Sequence, residues 1–288
     1  MPLTPSTSLT PGAPSAPAGP AAPAGPVPPT KEPDAVRDPS SASAPDRVPP
    51  GALNSEVLYG ALDRARCVVL DLDGPVAHVF GGRPASGAAR LMLETAERRG
   101  HVVERLRDGT DPIAVLYGYT LESAERGDAD GWDKTVAVLH DLLDAYEREA
   151  AESAEPTPGA AEFVEACHRS GRRLSVATNN HRGAAERILE RMGVADRFDG
   201  RIVGRPRDAR LMKPHPWALR TARTDGVPGA AHLMIGDAVT DYRAARDAGM
   251  RFCGYHRADD GRAALRAAGA PLVIADMAAL VPYVRVVS

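Results

Sequence analysis

The spacing of apolar and polar residues predicts different secondary structure in different parts of this chain. An apolar run at 68–70 has strand length, and from residue 157 onward similar runs alternate with stretches of helical periodicity. The later runs predicted to be strands are 174–178, 202–203, 232–235, 251–254 and 272–275, and the predicted helices begin near 157, 183, 217 and 241. Strands separated by such helices predict right-handed crossovers and a parallel sheet with helices on both faces.

A helical region interrupts this alternation after the first strand. Helices are predicted from about 86 to 99, from 111 to 126, and along a third stretch whose apolar residues fall on one face. The apolar residues of that third stretch are Trp132, Val136, Leu139, Leu143 and Tyr146. We therefore expect a small helical domain at 79–153, inserted between core segments 51–78 and 154–288.

The first 50 residues have a different composition from the rest. They are rich in Pro, Ala, Ser, Thr and Gly and have almost no large apolar side chains. A segment of this kind cannot bury enough surface to offset the entropy cost of ordering. Residues 1–50 are predicted to be a disordered Pro/Ala-rich tail.

Composition and charge argue against nucleic acid and membranes as binding partners. The 288 residues carry a formal net charge of −3 and form no basic stripe, so we expect no nucleic-acid partner. No apolar run approaches the length of a membrane span, and no signal pattern opens the chain, so we expect a cytoplasmic protein without a membrane partner. The three cysteines, Cys67, Cys167 and Cys253, are far apart and predicted to be reduced core residues.

Two acids follow the first predicted strand directly. Asp71 and Asp73 are two residues apart, and side chains alternate along an extended chain, so both carboxylates project to the same side. Like charges this close repel each other unless a cation or a shifted proton compensates them. Gly74 and Pro75 end the regular structure immediately afterwards.

Further polar residues collect where other strands end. Thr178 and Asn179 end the second long strand, and Asp237 ends a later one, with Asp241 one helical turn beyond. Lys213 precedes a predicted helix and is the sole lysine of the sheet-forming part of the sequence. Because ligands of parallel sheets bind beyond the carboxyl ends of the strands, we expect these residues at one edge.

The chemistry of this set favours phosphoryl transfer. Asp71 and Asp237 provide hard oxygen ligands for Mg²⁺, while the Lys213 ammonium and the Thr178 hydroxyl can neutralise a phosphoryl group. Asp71 could then attack phosphorus and form an aspartyl-phosphate. Asp73 would protonate the leaving oxygen and later accept a proton from water.

Four segments resemble the ordered motifs of the haloacid dehalogenase-like (HAD) hydrolase superfamily. They are LDLDG at 70–74, ATNN at 177–180, KPHP at 213–216 and IGDAVTDYRAARDAGM at 235–250, and the likeness covers about 67–281. The inserted helices resemble the cap of its β-phosphoglucomutase-like and phosphoglycolate-phosphatase-like branch. The resemblance implies an α/β fold, a Rossmann-like parallel sheet with helices on both faces and an inserted small α-helical cap domain.

The same resemblance implies a role for each site residue. Asp71 is the expected nucleophile and Asp73 the acid/base, while Thr178, Asn179 and Lys213 are expected to bind the substrate. Mg²⁺ would be held by Asp71, the Asp73 backbone carbonyl and Asp237, with Asp241 in support. The expected reaction is Mg²⁺-dependent hydrolysis of a small phosphorylated metabolite by a monomer or homodimer.

Two alternatives stay open. A phosphomutase would use the same scaffold but return the phosphoryl group to the substrate instead of to water. A phosphoacceptor or non-catalytic HAD-fold signalling module would also place Asp, Thr and Lys on a parallel sheet, although the long helical insertion argues against a receiver domain.

The segment after Asp73 departs from the family pattern. His78 stands where an acid is usual in this branch. Gly81–Pro84 is interpreted as the hinge into the cap, and His78 and Arg83 are candidate substrate contacts. His140 and Asp141 resemble a metal-binding pair but have no partner histidines, so we expect them on a solvated helix face.

Overall fold

A computed structural model describes residues 55–127 and 131–286. These residues belong to one compact unit, and the predicted tail at 1–50 lies outside the description.

The helices are α1 (Ser55–Asp63), α2 (Ala85–Arg98), α3 (Pro112–Arg126), α4 (Trp132–Ala151), α5 (Ala160–Arg169), α6 (Arg182–Arg191), α7 (Trp217–Thr221), α8 (Val239–Asp247) and α9 (Asp259–Ala267). The strands are β1 (Cys67–Leu70), β2 (Ala77–His78), β3 (Glu155–Pro156), β4 (Arg173–Ala177), β5 (Ile202–Val203), β6 (His232–Gly236), β7 (Arg251–Tyr255) and β8 (Val273–Ile274).

Six of the strands form one parallel sheet in the order β5-β4-β1-β6-β7-β8. The first strand lies at its centre, where Val69 pairs with Ser175 on one side and with Met234 on the other. Its two neighbours are therefore β4, which leads to the ATNN motif at 177–180, and β6, which leads to Asp237 in the motif at 235–250. The predicted parallel α/β sheet is confirmed.

Helices cover both faces of this sheet. Alternate residues of β1 enter different cores: Val68 and Leu70 pack with Phe163 of α5, whereas Val69 packs with Ala244 of α8. The four β1 residues are all buried, as expected for a parallel strand covered on both sides. The cysteines Cys67, Cys167 and Cys253 are free and buried, which confirms their predicted place in the core.

The inserted region forms the three predicted helices, α2, α3 and α4. They share a hydrophobic cluster of their own, which also includes two residues of the segment before Lys213. Its largest members are Met92, Leu116, Tyr119, Trp132, Leu139, Leu143 and Tyr146, and the two residues from the other segment are Ala209 and Met212. The helical insertion thus packs as a unit and also contacts a loop that leads to the sheet edge.

Three local predictions differ from the structure. The helix predicted to open at Thr157 begins at Ala160, because Thr157 instead donates its N–H to Val76 O and its hydroxyl to Gly74 O. A short antiparallel pair, β2 with β3, was not predicted because two-residue strands have no periodicity to detect. His140 is buried rather than solvated, and burial lowers its pKa to about 4, whereas Asp141 is exposed.

No helix within the described ranges combines the length and the hydropathy needed to cross a membrane.

Candidate active site

All seven predicted site residues line a single cavity of 330 Å³ at the carboxyl edge of the sheet. They come from four separate parts of the chain: Asp71 and Asp73 after β1, Thr178 and Asn179 after β4, Lys213 before α7, and Asp237 and Asp241 at the end of β6 and on α8. The central position of β1 is what brings the other groups to either side of Asp71.

A tight turn fixes the direction of the first acid. Asp71 Oδ1 accepts a hydrogen bond of 2.8 Å from Leu72 N, while Leu72 itself is buried in the core. Gly74 has φ +98°, and a Cβ atom built there would lie 2.6 Å from Asp237 Oδ2. Glycine at this position therefore allows both the turn and the close approach of Asp237 to the loop.

The second acid is held by the segment that leads toward the cap. Asp73 Oδ1 accepts a hydrogen bond of 3.0 Å from Val79 N. The loop between them is closed by a Gly74 N bond to Ala77 O and by the Thr157 hydroxyl donating to Gly74 O at 2.5 Å. Asp73 thus lies on the same loop as Asp71 but has different hydrogen-bond partners.

The site lysine is buried between two carboxylates. Lys213 Nζ lies 2.7 Å from Asp71 Oδ1 and 2.6 Å from Asp241 Oδ1. Burial alone lowers a lysine pKa, but these two charges outweigh it and hold the pKa of Lys213 above its usual value. Lys213 therefore carries its charge at neutral pH, beside the oxygen atoms of Asp71.

Asn179 joins the lysine segment to the end of β4. Its Oδ1 accepts from Lys213 N at 2.9 Å, and its Nδ2 donates to Lys213 O at 3.2 Å. Thr178 is fully buried, and its Oγ1 accepts from Asn180 N at 3.1 Å. Asn179 is thus placed to position Lys213, a structural role in addition to the predicted contact with substrate.

Negative charge exceeds positive charge among the groups of this cavity. Burial raises the pKa of Asp71 to about 7, against the opposing effect of Lys213. Burial and the nearby charges of Asp241, Asp71 and Asp73 raise the pKa of Asp237 to about 9. Burial also raises the pKa of Asp73, although the Val79 hydrogen bond opposes the rise. A divalent cation among these oxygens would favour the ionised carboxylates and lower their pKa values.

The arrangement of the carboxylates fits such a cation. Asp71, Asp237 and Asp241 each offer an oxygen atom, and these three atoms lie within 4.8 Å of one another. Mg²⁺ binds through one or two carboxylates and retains water or phosphate oxygens in its other positions, so two of these three acids are enough to hold it.

Comparison with known proteins agrees with these motifs. Residues 65–249, more than half of the chain, match the family model of the haloacid dehalogenase-like hydrolases. This chain belongs to the haloacid dehalogenase-like hydrolase family. As a HAD hydrolase it carries its four motifs on the edge of one sheet, as the sequence predicted.

Named relatives of this HAD hydrolase include phosphatases. A phosphoglycolate phosphatase of Rhodospirillum rubrum is 29% identical over 187 residues, 64% of this chain and 77% of the relative. An N-acetylmuramic acid 6-phosphate phosphatase of Pseudomonas aeruginosa is 26% identical over 199 residues, 65% of this chain and 80% of the relative. The crystal structure of β-phosphoglucomutase from Clostridium difficile, 16% identical, covers 75% of this chain and 93% of its own with a TM-score of 0.53, which shows the shared fold.

The cap side of the HAD cavity contains residues that sequence reasoning did not assign to the site. They are Phe80, Ala85, Asp111, Pro112 and Ile113. Asp111 and Pro112 were recognisable from the sequence as the start of a helix, but no local pattern indicated that this helix end faces the acids. His78 and Arg83, the predicted substrate contacts, do not line the cavity.

Both of those residues have other partners. His78 Nε2 lies 3.3 Å from Arg257 Nη1, and Arg83 stacks 4.0 Å above the Tyr146 ring while forming an ion pair with Glu149. His78 is nevertheless close enough to Asp73 for its charge to oppose the rise in the pKa of that carboxyl.

A buried ion pair behind Asn179 was also missed. Arg205 Nη1 donates to Glu147 Oε1 at 2.8 Å and to Asn179 O at 3.0 Å, and the Glu147 carboxylate accepts from Asn180 Nδ2 and from His181 N. The Arg205 and Glu147 side chains are 1% and 0% exposed. Helix α4 of the insertion is therefore anchored to the loop that carries Thr178 and Asn179.

Larger cavities lie elsewhere in the molecule. One of 740 Å³ lies among the inserted helices, and one of 850 Å³ lies between α4 and the segment at 207–210. Neither contains any of the seven predicted residues. The candidate active site is therefore identified by the side chains that line its cavity and not by the volume of that cavity.

Proposed function

We propose that this HAD hydrolase is a Mg²⁺-dependent phosphomonoesterase that acts on a small phosphorylated metabolite through an aspartyl-phosphate. The observation that carries the proposal is the placement of Asp71 beside the buried ammonium of Lys213 in a cavity that also contains Asp73 and Thr178. Relatives named as phosphatases support the reaction class.

In the proposed first step, an Asp71 carboxylate oxygen attacks the phosphorus atom of the ester. The Asp71–phosphorus bond forms as the bond from phosphorus to the leaving oxygen breaks, and Asp73 gives its proton to that oxygen. Burial raises the pKa of Asp73, which is the direction that proton donation requires. Lys213 and the Thr178 hydroxyl bind the phosphoryl oxygens, so that negative charge is neutralised as the bonds change.

In the second step, water releases the phosphoryl group. Asp73, now ionised, accepts a proton from a water molecule that attacks phosphorus, and the bond to Asp71 breaks. Asp71 regains its carboxylate and orthophosphate leaves with the water oxygen. The two steps together convert one phosphate ester and one water into an alcohol and orthophosphate.

We assign the metal site to Asp71, Asp237 and the Asp73 backbone carbonyl, with Asp241 in support. Bound Mg²⁺ would neutralise charge on the phosphoryl group and favour ionised Asp71. Asp241 also accepts from Ala238 N at 3.0 Å, which fixes the first turn of α8 against the loop that carries Asp237.

The domain bounds, the cellular location and the oligomeric state are part of the same proposal. Residues 79–153 form the cap, while 51–78 and 154–288 form the core domain. We place the protein in the cytoplasm as a monomer or homodimer, and the three free, buried cysteines support a reducing compartment.

The nucleophile assignment is tested by Asp71→Asn. With Mg²⁺ and a generic phosphate ester, we expect the wild type to release orthophosphate and the variant to lose at least about a thousandfold in kcat. Thermal unfolding of both proteins checks that the variant is folded. Unchanged turnover in a folded variant would contradict the assignment, and phosphoryl transfer to a second substrate hydroxyl without orthophosphate would indicate a mutase.

A further inference from the structure

The cap-side wall of the candidate active site has a distinct charge pattern. Opposite the catalytic acids, Phe80, Ala85, Pro112 and Ile113 present apolar surface, and Asp111 is the one charged residue among them. This wall is the part of the cavity that a substrate's non-phosphate group would contact, because Lys213 and Thr178 lie on the opposite, sheet side.

Within the described ranges 55–127 and 131–286, Lys213 is the sole cationic side chain that lines this cavity. Its ammonium group is already shared between Asp71 and Asp241. A substrate with a second anionic group would need another positive partner to offset repulsion by the exposed carboxylate of Asp111. The lining residues provide none on the cap side.

Arg205 and Arg83 pair with other carboxylates, and Arg257 contacts His78 and does not line the cavity. Arg205 is buried behind Asn179, where it pairs with Glu147 and Asp144. Arg83 pairs with Glu149 and lies over the Tyr146 ring. Neither guanidinium lines the cavity.

The first turn of α3 could in principle attract an anion, because free N–H groups and the helix dipole favour negative charge there. Pro112 has no N–H, however, and Ile113 N donates to Asp111 Oδ1 at 2.8 Å. The carboxylate of Asp111 thus occupies the position that an anionic ligand would take. The same helix end that could bind a substrate anion instead repels it.

We infer that this site selects phosphate esters whose alcohol part is neutral or cationic, such as a polyol or an amino alcohol, and rejects those with a carboxylate. The inference rests on the proposed phosphatase function and names its substrate class. It separates this chain from its relative in Rhodospirillum rubrum, whose name identifies phosphoglycolate, a phosphorylated carboxylate, as substrate. Asp111 is the specificity-determining residue.

Three esters that differ at one end test the inference. Phosphoglycolate, 2-hydroxyethyl phosphate and 2-aminoethyl phosphate share a two-carbon skeleton and end in a carboxylate, a hydroxyl and an ammonium group. We expect kcat/KM of the wild type with Mg²⁺ to be at least about tenfold higher for each of the last two than for phosphoglycolate. 4-Nitrophenyl phosphate serves as the general phosphatase substrate.

The variant Asp111→Asn tests the residue. Asparagine caps helices about as well as aspartate, so α3 keeps its first turn while the charge is lost. We expect the kcat/KM ratio of 2-aminoethyl phosphate to phosphoglycolate to fall about tenfold or more. The matched control is Asp276→Asn, because Asp276 also accepts from the N–H two residues on, at 2.9 Å, but lies outside the cavity. Its ratio should stay within about twofold of the wild type.

The outcomes separate the two proposals. Hydrolysis of 4-nitrophenyl phosphate with phosphoglycolate as the preferred small ester would overturn the specificity inference and leave the phosphatase function standing. A preference that Asp111→Asn does not change would overturn the role of Asp111. Failure to hydrolyse any of the four esters with Mg²⁺ would overturn the proposed function and the inference with it.

Discussion

At the scale of single residues, the two acids of the LDLDG motif differ in what surrounds them. Asp71 Oδ1 receives a hydrogen bond from Leu72 N and lies 2.7 Å from the Lys213 ammonium, so its charged form is supported from two directions. Asp73 receives a hydrogen bond from Val79 N, and no lysine of the described residues lies within ion-pair distance of it. Burial raises the pKa of both carboxyls, so their different partners, and not the pKa shifts, distinguish the carboxylate proposed to attack from the one proposed to transfer a proton.

The proton-transfer role of Asp73 predicts an effect that depends on the leaving group. Asp73→Asn keeps an oxygen to accept from Val79 N but cannot protonate the departing alcohol. We expect kcat/KM for an alkyl phosphate to fall by about 10²–10⁴-fold, and that for 4-nitrophenyl phosphate to fall much less, because nitrophenolate leaves without a proton. Steady-state kinetics on both esters check this. Equal losses on the two esters would contradict the acid role.

At the scale of elements, α4 connects the insertion to the catalytic edge of the sheet. Its apolar face contributes Leu139 and Leu143 to the cluster shared with α2 and α3. Its far end carries Glu147, whose carboxylate binds Arg205 and the N–H of His181. One helix thus stabilises both the cap and the loop that follows β4.

This connection predicts that Glu147→Gln acts on stability and on catalysis together. The variant leaves buried Arg205 with one carboxylate fewer, and we expect the free energy of unfolding to fall by about 1–3 kcal/mol. Because Glu147 also holds the loop after β4, kcat should fall even at temperatures where the protein is fully folded. Glu147 would then be a positioning residue.

The matched control for this prediction is Glu149→Gln on the same helix. Glu149 is 61% exposed at its side chain and pairs with Arg83, so its loss should change the free energy of unfolding by less than about 1 kcal/mol. Urea unfolding gives the stability of each variant, and kinetics below the transition give kcat. A Glu147→Gln protein with lower stability but wild-type kcat would show a purely structural role.

At the scale of the whole molecule, the strand order concentrates acidic groups at one place. With β4 and β6 on either side of β1, the sheet brings Asp71, Asp237 and Asp241 within reach of one cation. Without further positive charge this arrangement is unfavourable, because burial and, after it, the neighbouring carboxylates raise the pKa values of Asp71 and Asp237. Binding of Mg²⁺ should therefore stabilise the fold as well as support the reaction.

Metal binding can be measured without any substrate. Mg²⁺ at about 100 times its dissociation constant should add about 2.7 kcal/mol to the free energy of unfolding, a rise in Tm of roughly 5–10 °C relative to protein in EDTA. In Asp237→Asn, the Tm in EDTA should rise, because asparagine removes the cost of burying an acid whose pKa the fold raises to about 9, while the Mg²⁺ shift should shrink. Differential scanning calorimetry checks both effects, and an undiminished shift would exclude Asp237 as a ligand.

Much of the fold and of the candidate site is readable from local patterns. Apolar runs and helical periodicity located the six sheet strands and the three inserted helices, because burial on a parallel sheet or in a helical cluster imposes a regular spacing on neighbouring residues. The position of Asp71, Thr178 and Asp237 at strand ends follows from the same spacing. Parallel topology then brings these ends to one edge.

The tertiary structure decided what depends on contacts between distant segments. Glu147 and Arg205 are 58 residues apart, and neither residue's neighbours indicate that they form a buried pair. Likewise, Asp111 is an ordinary helix cap in the sequence, and only the packing of the insertion over the sheet edge places it in the lining of the cavity that contains Asp71 and Asp73. The sequence by itself determined which polar groups follow the strands, because local spacing fixes the strand ends, whereas packing of the cap on the core decided which other side chains share their cavity.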